Sequence, residues 1–379
     1  MTAVEFDVAV VGGGIVGASC AYWAADAGLR VYACDRISPG AGTTGAGMGH
    51  IVALEEPPAM LPLTRYSQRL WRELAPRLPP SVGFRAVGTL WVAGSEQELA
   101  ELGRKQLTLR AGDTPSEVLE RDALHALEPA LSPDLSGALL VEEDCLVDPV
   151  PATRYLWKSS AARGARVEPH RAVSRILEGA VEFLDGSQIR AENVVNATGV
   201  DAPTLTPECP ILARKGHLIR WGPARNLLRH AVVEVGYSTA VRDVDRSTVA
   251  FNAQPQTDGS VLLGASREWA GTDLTVDPTI VERLCAHARK FLPSLLELPR
   301  LEVRTGLRPG TPDRLPWIGR LPESDGLWIA AGHEGLGVTT SLGTGKLLAD
   351  LLLGRPTAIP ASRFAPTPDR LSGAGSLPS

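Results

Sequence analysis

Three glycines near the amino terminus, Gly12, Gly14 and Gly17, have the G-x-G-x-x-G spacing that can hold the pyrophosphate of a dinucleotide. Such glycines give a tight turn, a close backbone approach to phosphate and close packing of the next helix. Asp35 follows 18 residues after Gly17, close to the offset of about 20 at which an acid reaches a ribose hydroxyl. The spacing predicts a dinucleotide site without a 2′-phosphate. The alternative is a glycine-rich turn in an ordinary α/β sheet, which would not need this acid.

The residues around these glycines predict a strand, a turn, a helix and a second strand. Val8–Val11 is apolar throughout, as expected of a parallel strand that is covered on both faces. A helix is predicted over Ile15–Ala27, and Gly28 ends it. Its first amides and the positive end of its dipole would face a bound anion. A second strand over Arg30–Cys34 then places the acid at its carboxyl end.

The segment 36–51 is rich in small residues, with five glycines around Thr43 and Thr44. Side chains this small let backbone amides and hydroxyls approach a large flat ligand from several sides. A flexible linker is the alternative interpretation. His50 follows these glycines, where it would either face the reacting part of a ligand or have a structural role.

Two later segments also combine a buried strand with small residues. The strand Asn193–Ala197 leads into Asn196–Gly199, which would give a second approach to the same nucleotide or would be a plain strand end. The strand Gly326–Ala331 leads into Gly332–Gly337 and a helix over Thr339–Leu353. The amino terminus of that helix would stabilise an anion or a ring carbonyl that gains negative charge.

The middle of the chain has a different texture, with short strands and turns that predict an α+β unit. The predicted antiparallel strands include Gly216–Trp221, Ala231–Val235, Ser247–Ala253 and Val261–Ser266, with a turn at Asp258-Gly259. This middle block is the predicted substrate domain.

Composition excludes several classes of function. With 379 residues, 44% of them hydrophobic, the chain is long enough for two domains and a large core. A net charge of −5 gives no basic surface for nucleic acid, and no apolar run reaches the ~18 residues of a transmembrane helix. The first strand begins almost at once, which predicts no signal peptide. Five scattered cysteines without a C-x-x-C pair indicate a cytoplasmic protein without zinc or iron–sulfur ligands.

Five ordered motifs resemble those of the FAD-dependent D-amino acid oxidase superfamily. The likeness extends from Asp7 to about Gly354 and is closest to the glycine oxidase, sarcosine oxidase and D-amino acid or D-hydroxyproline dehydrogenase branch. The motifs are Val11–Gly17 with Asp35, Thr43–Ile51, Asn196–Gly199, Gly306–Asp313 with Leu315–Gly319, and Gly332–Gly337.

The resemblance implies an α/β fold in which a Rossmann-type, glutathione-reductase-like FAD-binding domain carries an inserted α+β substrate domain built on an antiparallel sheet. The predicted FAD-binding domain comprises 1–80, 146–213 and 305–362, the substrate-binding domain comprises 81–145 and 214–304, and a flexible tail covers 363–379.

The resemblance also implies roles for single residues. Arg308 stands where relatives grip the substrate carboxylate, a role that suits a guanidinium fork; the alternative is a structural bridge from Arg308 to Asp313. The sequence itself adds His50, His217 and His333 as candidate catalytic residues, with His50 or His217 as polar contacts, and Glu334 as a further ionisable side chain. The implied FAD contacts are Gly12, Gly14, Ile15, Val16, Gly17, Asp35, Arg36, Thr43, Thr44, Gly49, Ala197, Gly199, Gly335, Leu336, Gly337, Val338 and Thr339.

Two departures from the family pattern bear on substrate and cofactor. Glycine oxidases carry an arginine where Gly335 stands, so one of their substrate contacts is missing. Some relatives attach FAD through a cysteine before Thr-Pro-Asp, but Gly310 and Thr311 precede Pro312 here, so we expect non-covalent FAD. The combination of Thr44–Ile51 with Arg214–His217 and Gly332–Gly337 is most similar to hydroxyproline dehydrogenase and hydrogen cyanide synthase subunits.

The implied reaction is hydride transfer from the α-carbon of a small D-amino or cyclic imino acid, such as D-hydroxyproline or D-proline, to flavin N5, which gives an imine. One alternative is a sarcosine- or glycine-type oxidase that produces peroxide. A second is an FAD-bearing subunit of a hetero-oligomer, and a third is a nicotinamide dehydrogenase. In the leading hypothesis an electron-accepting partner subunit receives the electrons. The enzyme is expected in the cytoplasm, where such a partner could hold it at the inner membrane.

Overall fold

A computed structural model describes residues 4–53, 57–236 and 247–372. The strands in this part of the chain are β1 Phe6–Val11, β2 Val31–Cys34, β3 His50–Ile51, β4 Thr89–Ala93, β5 Glu117–Glu120, β6 Gly137–Val141, β7 Cys145–Leu146, β8 Arg166–Glu168, β9 Val173–Leu177, β10 Ala180–Phe183, β11 Gln188–Asn196, β12 Leu212–Trp221, β13 Ala231–Glu234, β14 Thr248–Pro255, β15 Val261–Arg267, β16 Arg300–Gly310, β17 Trp317–Arg320 and β18 Leu327–Ala331. The α-helices are α1 Ile15–Asp26, α2 Leu61–Leu74, α3 Glu96–Ala111, α4 Arg121–Leu127, α5 Pro149–Ala161, α6 Ala202–Leu205, α7 Pro278–Ala288, α8 Gly337–Leu352 and α9 Pro368–Ser372.

The first sheet has the parallel core expected of a nucleotide-binding domain. Its strands lie in the order β17-β18-β11-β1-β2-β8, and β1 pairs in parallel with both β2 and β11. Helices α1, α2, α5 and α8 pack beside this sheet around one apolar core. The predicted Rossmann-type arrangement is confirmed, and the carboxyl ends of β1, β2, β11 and β18 all deliver loops to the same edge.

The turn between β1 and α1 depends on two glycines. Gly12 has a φ of +113°, and a Cβ there would lie 2.4 Å from the carbonyl oxygen of Ala197. A Cβ on Gly17 would lie 1.9 Å from the carbonyl oxygen of Gly12. Both positions therefore require glycine, because any side chain would push the helix away from the strands.

The second sheet is predominantly antiparallel, as predicted, and has the order β16-β12-β15-β14-β13-β4-β6-β5. One departure from the antiparallel pattern is the parallel pair β4–β13. Helix α7 packs on one face, where an apolar core includes Phe251, Phe291 and Leu284. Strands β12 and β16 pair with each other from Leu212 and Gly310 onward. β12 crosses the predicted domain boundary at 213/214, and β16 crosses the one at 304/305. The domain boundaries stay a prediction.

The first part of the tail that was predicted to be loose is packed against the body of the protein. Phe364 is fully buried, and the Arg370 guanidinium donates to the Asp313 carboxylate at 2.7 Å. The prediction of a loose tail was wrong for these residues. It was based on polar composition, but one aromatic side chain, Phe364, is enough to anchor the segment to the core. Residues 373–379 lie outside the described part of the chain.

None of the helices in the described ranges is long and apolar enough to cross a bilayer.

Candidate active site

One cavity of about 390 Å³ is lined by both sheets. Its walls combine the Gly12 turn and Asp35 from the first sheet with Arg308, Asn252 and Trp91 from the second. The predicted site residues that line it are Gly12, Gly14, Ile15, Val16, Asp35, Arg36, Thr43, Thr44, Gly49, His50, Ala197, Gly199, Arg308, His333, Gly335, Leu336, Gly337, Val338 and Thr339. The structure therefore brings together segments that lie far apart in the sequence.

The end of the cavity near β1 has groups suited to a dinucleotide. The Asp35 carboxylate stands directly after β2 and accepts hydrogen bonds from the backbone N–H groups of Gly13 and Ile37. The Thr44 hydroxyl accepts from the Ile15 amide at 3.1 Å, so the 36–51 segment caps helix α1 and is an ordered wall. A Cβ on Gly14 would meet no atom closer than the Thr44 hydroxyl at 3.4 Å, which leaves the phosphate turn accessible from the cavity.

The middle of the cavity is bounded by the 36–51 segment and the start of α8. The Thr43 hydroxyl donates to the carbonyl of Leu307 at 2.8 Å, and the Thr339 hydroxyl donates to the carbonyl of His50 at 2.9 Å. A Cβ on Gly49 would lie 1.9 Å from the carbonyl oxygen of Val147. These contacts hold the 36–51 segment against β16, the start of α8 and the residue after β7, and they present mainly backbone and small side chains to a flat ligand.

Two histidines that line the cavity are neutral at physiological pH. His50 Nε2 lies 2.8 Å from the Thr89 hydroxyl, and burial lowers the pKa of its imidazole to about 4. His333 Nε2 lies 3.0 Å from the Thr344 hydroxyl, and burial lowers its pKa to about 3. Both side chains are therefore hydrogen-bonding groups and carry no positive charge at neutral pH.

Arg308 lines the cavity from the second sheet and is held in a defined position. A Cβ on Gly216 would fall 2.3 Å from Arg308 Nη1, and the same nitrogen donates to the carbonyl of Ser266 at 2.9 Å. The alternative bridge to Asp313 does not form, because that carboxylate pairs with Arg370. The guanidinium is therefore a wall of the cavity, where it can meet a carboxylate.

Glu334 and Arg267 form an ion pair beside Arg308, with Arg267 Nε 3.2 Å from Glu334 Oε1. Burial acts to raise the pKa of Glu334, but Arg267, Arg308 and Arg214 outweigh it and lower the pKa to about 2. Glu334 therefore stays ionised and is unsuitable as a proton acceptor at neutral pH. Arg267 was not predicted as a site residue, because its only signal in the sequence is its position in an apolar strand.

His217 lies outside the cavity, and the prediction of a substrate contact was wrong. Gly216 and Leu218 line the cavity, and the side chain between them points to the other face of β12, as strand alternation requires. Its Nδ1 is 3.0 Å from Glu268 Oε1 and 3.1 Å from Ser266 Oγ, and its Nε2 accepts from the Asp277 amide. His217 therefore anchors the loop before α7. Gly17 also lies outside the cavity, in the helix–strand contact described above.

The cavity wall that the second sheet contributes was not predicted from the sequence. Trp91, Val233, Asn252 and Gln254 line the cavity, and Val233 pairs with both Trp91 and Asn252 across neighbouring strands. The available signal was that Asn252 and Gln254 alternate with apolar residues. Without the strand register, these two side chains could not be assigned to the cavity face of the sheet.

The cavity combines a glycine turn and a following acid with small residues and a guanidinium. This combination defines a dinucleotide-dependent oxidoreductase site. The residues fit FAD in chemistry, since they include the backbone donors of a pyrophosphate turn and small side chains that leave room for a flat ring. No cluster of metal-ligating side chains occurs among the described residues.

The chain belongs to the FAD dependent oxidoreductase (DAO) family, whose family model matches residues 7–351. It is 29% identical to a glycine oxidase of Pseudomonas aeruginosa over 95% of this chain and 98% of the relative. It is also 29% identical to a D-amino acid dehydrogenase of Cereibacter sphaeroides, over 79% and 69% of the two chains. The crystal structure of glycine oxidase from Geobacillus kaustophilus superimposes with a TM-score of 0.85 at 27% identity, covering 96% and 98%.

These comparisons confirm the superfamily and the FAD cofactor predicted from the sequence. The protein is an FAD-dependent oxidoreductase of amines or amino acids.

Proposed function

We propose that this enzyme oxidises the C–N bond of a small D-amino or cyclic imino acid, with D-hydroxyproline and D-proline as the leading substrates. FAD, when bound, supplies the two-electron oxidation, and the product imine is hydrolysed by water. Gly12, Gly14 and the start of α1 would hold the pyrophosphate, Asp35 the ribose, and Thr43, Thr44, Gly49 and the 335–339 segment the flavin.

The observation that carries this proposal is the position of Arg308. Its guanidinium lies over Gly216 on the substrate-domain side of the cavity and is held by the carbonyl of Ser266. A bidentate carboxylate contact there would fix one end of a small amino acid and orient its α-carbon toward the middle of the cavity.

The chain's own residues would position the substrate and provide the electrostatic environment, without a strong base. Neutral His50 and His333 cannot repel a substrate ammonium, and ionised Glu334 offsets part of the positive charge of Arg308 and Arg267. The amino terminus of α8 opens on the cavity at Gly337 and would stabilise negative charge that develops on a ligand ring. A substrate that binds with a neutral amine needs no further proton acceptor.

A glycine- or sarcosine-type oxidase that releases peroxide is the second candidate, and the glycine oxidase relatives support it equally well. Gly335 favours the first candidate, because it stands where glycine oxidases carry an arginine. A Cβ at this position would lie 3.7 Å from Arg308 Nε and 3.9 Å from Arg267 Nη2. An added arginine would therefore enter a region that already holds two guanidinium groups.

A substrate panel separates the two candidates. Purified protein is assayed with D-hydroxyproline, D-proline, D-alanine, glycine and sarcosine, with dye reduction and peroxide release measured in parallel. The proposal predicts the highest kcat/KM for a D-imino acid and faster dye reduction than peroxide release. Peroxide release that equals dye reduction, with glycine or sarcosine as the best substrate, would establish the oxidase.

We also propose that the electrons pass to a protein partner rather than to oxygen. This part of the proposal is supported by the likeness of three motifs to dehydrogenase subunits, given above. Co-purification of the tagged chain from its native host with an iron–sulfur subunit would support it. Full turnover of the isolated chain with oxygen alone would refute it.

A further inference from the structure

Two amides lie side by side on the cavity face of the antiparallel sheet. Asn252 and Gln254 are two residues apart on β14, so both side chains project from the same face of the strand. Both line the cavity, and both are buried, with Gln254 at 0% exposure. Their neighbours on this face, Val233 and Leu218, are apolar, so the amide pair is a polar patch in an apolar wall.

Hydrogen-bonding groups of this pair are left without a protein partner. Gln254 Nε2 donates to Asn252 Oδ1 at 3.1 Å and approaches Met48 Sδ at 3.9 Å. Gln254 Oε1 is buried and accepts no hydrogen bond from any described residue. Within the same part of the chain, Asn252 Nδ2 has no acceptor. A buried acceptor without a partner is costly, so its presence in the wall of a ligand cavity indicates that the ligand supplies the donor.

The patch lies where the distal part of a substrate held by Arg308 would reach. The Arg308 side chain starts on β16, crosses over Gly216 on β12 and ends at the carbonyl of Ser266 on β15. The next strand in the sheet is β14, about 4.8 Å away. Asn252 pairs there with Gly264 and Gln254 with Leu262, which lie two and four residues from Ser266, or about 7 and 13 Å along β15. The amine next to a carboxylate bound by the guanidinium is therefore too far from Gln254, and only a substituent on the distal side of a cyclic amino acid would extend to the amide pair.

We infer that Gln254 is a specificity-determining residue whose Oε1 accepts a hydrogen bond from the substrate. The donor is a hydroxyl on the distal side of a cyclic imino acid, and Asn252 Nδ2 can donate to the same hydroxyl. The inference rests on the proposed function for the class of substrate. If the amide pair served only the fold, an apolar residue of equal length would be tolerated without any change in substrate binding.

The test compares Gln254→Met with wild-type holoenzyme on D-proline and cis-4-hydroxy-D-proline, which differ by one hydroxyl. Gln256→Met is the matched control, because Gln256 follows on the same chain segment and lies outside the cavity lining. KM and kcat are measured for a ligand that is turned over, and Kd by perturbation of the flavin spectrum for one that is not. Flavin content and melting temperature are recorded for each variant.

The hydroxyl contact predicts that Gln254→Met loses about 10- to 100-fold in affinity for the hydroxylated ligand only. Unchanged affinity for both ligands, or an equal loss for both, in a variant with normal flavin content would overturn the inference. If neither ligand is turned over but the variant weakens binding of the hydroxylated ligand only, the proposed function fails and the inference stands. If Gln254→Met does not fold, Gln254→Leu replaces it in the same comparison, and unchanged affinity there is equally decisive.

Discussion

The buried carboxyl group of Asp144 should make the folded protein less stable as the pH rises from 4 to 7. The Asp144 side chain is fully buried. Its Oδ1 accepts from the Ala53 amide and from Gln68 Nε2, both at 2.9 Å, and its Oδ2 has no partner among the described residues. Burial raises the pKa of Asp144 from 3.8 to about 7, although these hydrogen bonds oppose the shift. Asp144→Asn keeps the shape and the Oδ1 acceptor but cannot titrate.

The sign and size of the effect follow from proton linkage. Because the folded pKa is higher than the unfolded one, the folded state holds the proton more tightly, and this contribution to stability is complete below about pH 4. It is lost as pH rises toward 7, the folded pKa. About three pKa units, each worth about 1.4 kcal/mol, give a loss of roughly 4 kcal/mol in the free energy of unfolding. The asparagine variant avoids this loss.

The assay is urea unfolding of wild type and Asp144→Asn at pH 4, 5, 6, 7 and 8 with excess FAD. The difference in unfolding free energy between variant and wild type should increase in favour of the variant by roughly 4 kcal/mol from pH 4 to pH 8. Asp134→Asn at an exposed position is the control and should give a flat difference. A flat difference for Asp144→Asn as well would refute the reasoning, whatever the constant offset between the proteins.

Three further predictions concern the site. Arg308→Met should raise KM by about 10- to 100-fold, since a charged hydrogen-bonded contact is worth about 1.5–3 kcal/mol. Unchanged KM in a variant with normal flavin content would contradict the role of Arg308 as the carboxylate anchor. Gly12→Ala should lower the FAD-to-protein ratio well below one, because the added Cβ would lie 2.4 Å from the Ala197 carbonyl oxygen. Gly28→Ala is the control and should keep full FAD, because Gly28 also has a positive φ, +91°, but no atom lies within 4 Å of the added Cβ. His217→Gln should lower the melting temperature by a few degrees through its lost hydrogen bonds and leave the ratio of kcat/KM between substrates unchanged. A changed ratio would place His217 in the substrate site.

The parts of the fold predicted well from the sequence are those set by local patterns. The apolar strand, the glycine turn and helix α1 were predicted within a few residues, as Phe6–Val11 and Ile15–Asp26 show. Helix α8 was also predicted, with its start at Gly337 rather than Thr339. Glycine spacing and apolar periodicity carry this information without any knowledge of tertiary contacts.

The parts of the site that were missed depend on strand register. His217 was assigned to the substrate although it faces away from the cavity, and Asn252 and Gln254 were overlooked although they face it. A shift of one residue reverses the face of every side chain in a strand. The predicted Asp258-Gly259 turn joins β14 to β15 but does not say which face of the sheet meets the cavity. The contact between Phe364 and the core is likewise a tertiary effect of one aromatic residue.

The most direct test is anaerobic reduction of the bound flavin by D-proline and by pyrrolidine, which has the same ring without the carboxylate. We expect one FAD per chain, and we expect its absorbance to be bleached by D-proline at concentrations at least tenfold lower than pyrrolidine requires. Arg308→Met should remove that difference. A chain that takes up no FAD, or one that pyrrolidine reduces as readily as D-proline, would contradict the proposed flavin site with Arg308 as the carboxylate anchor.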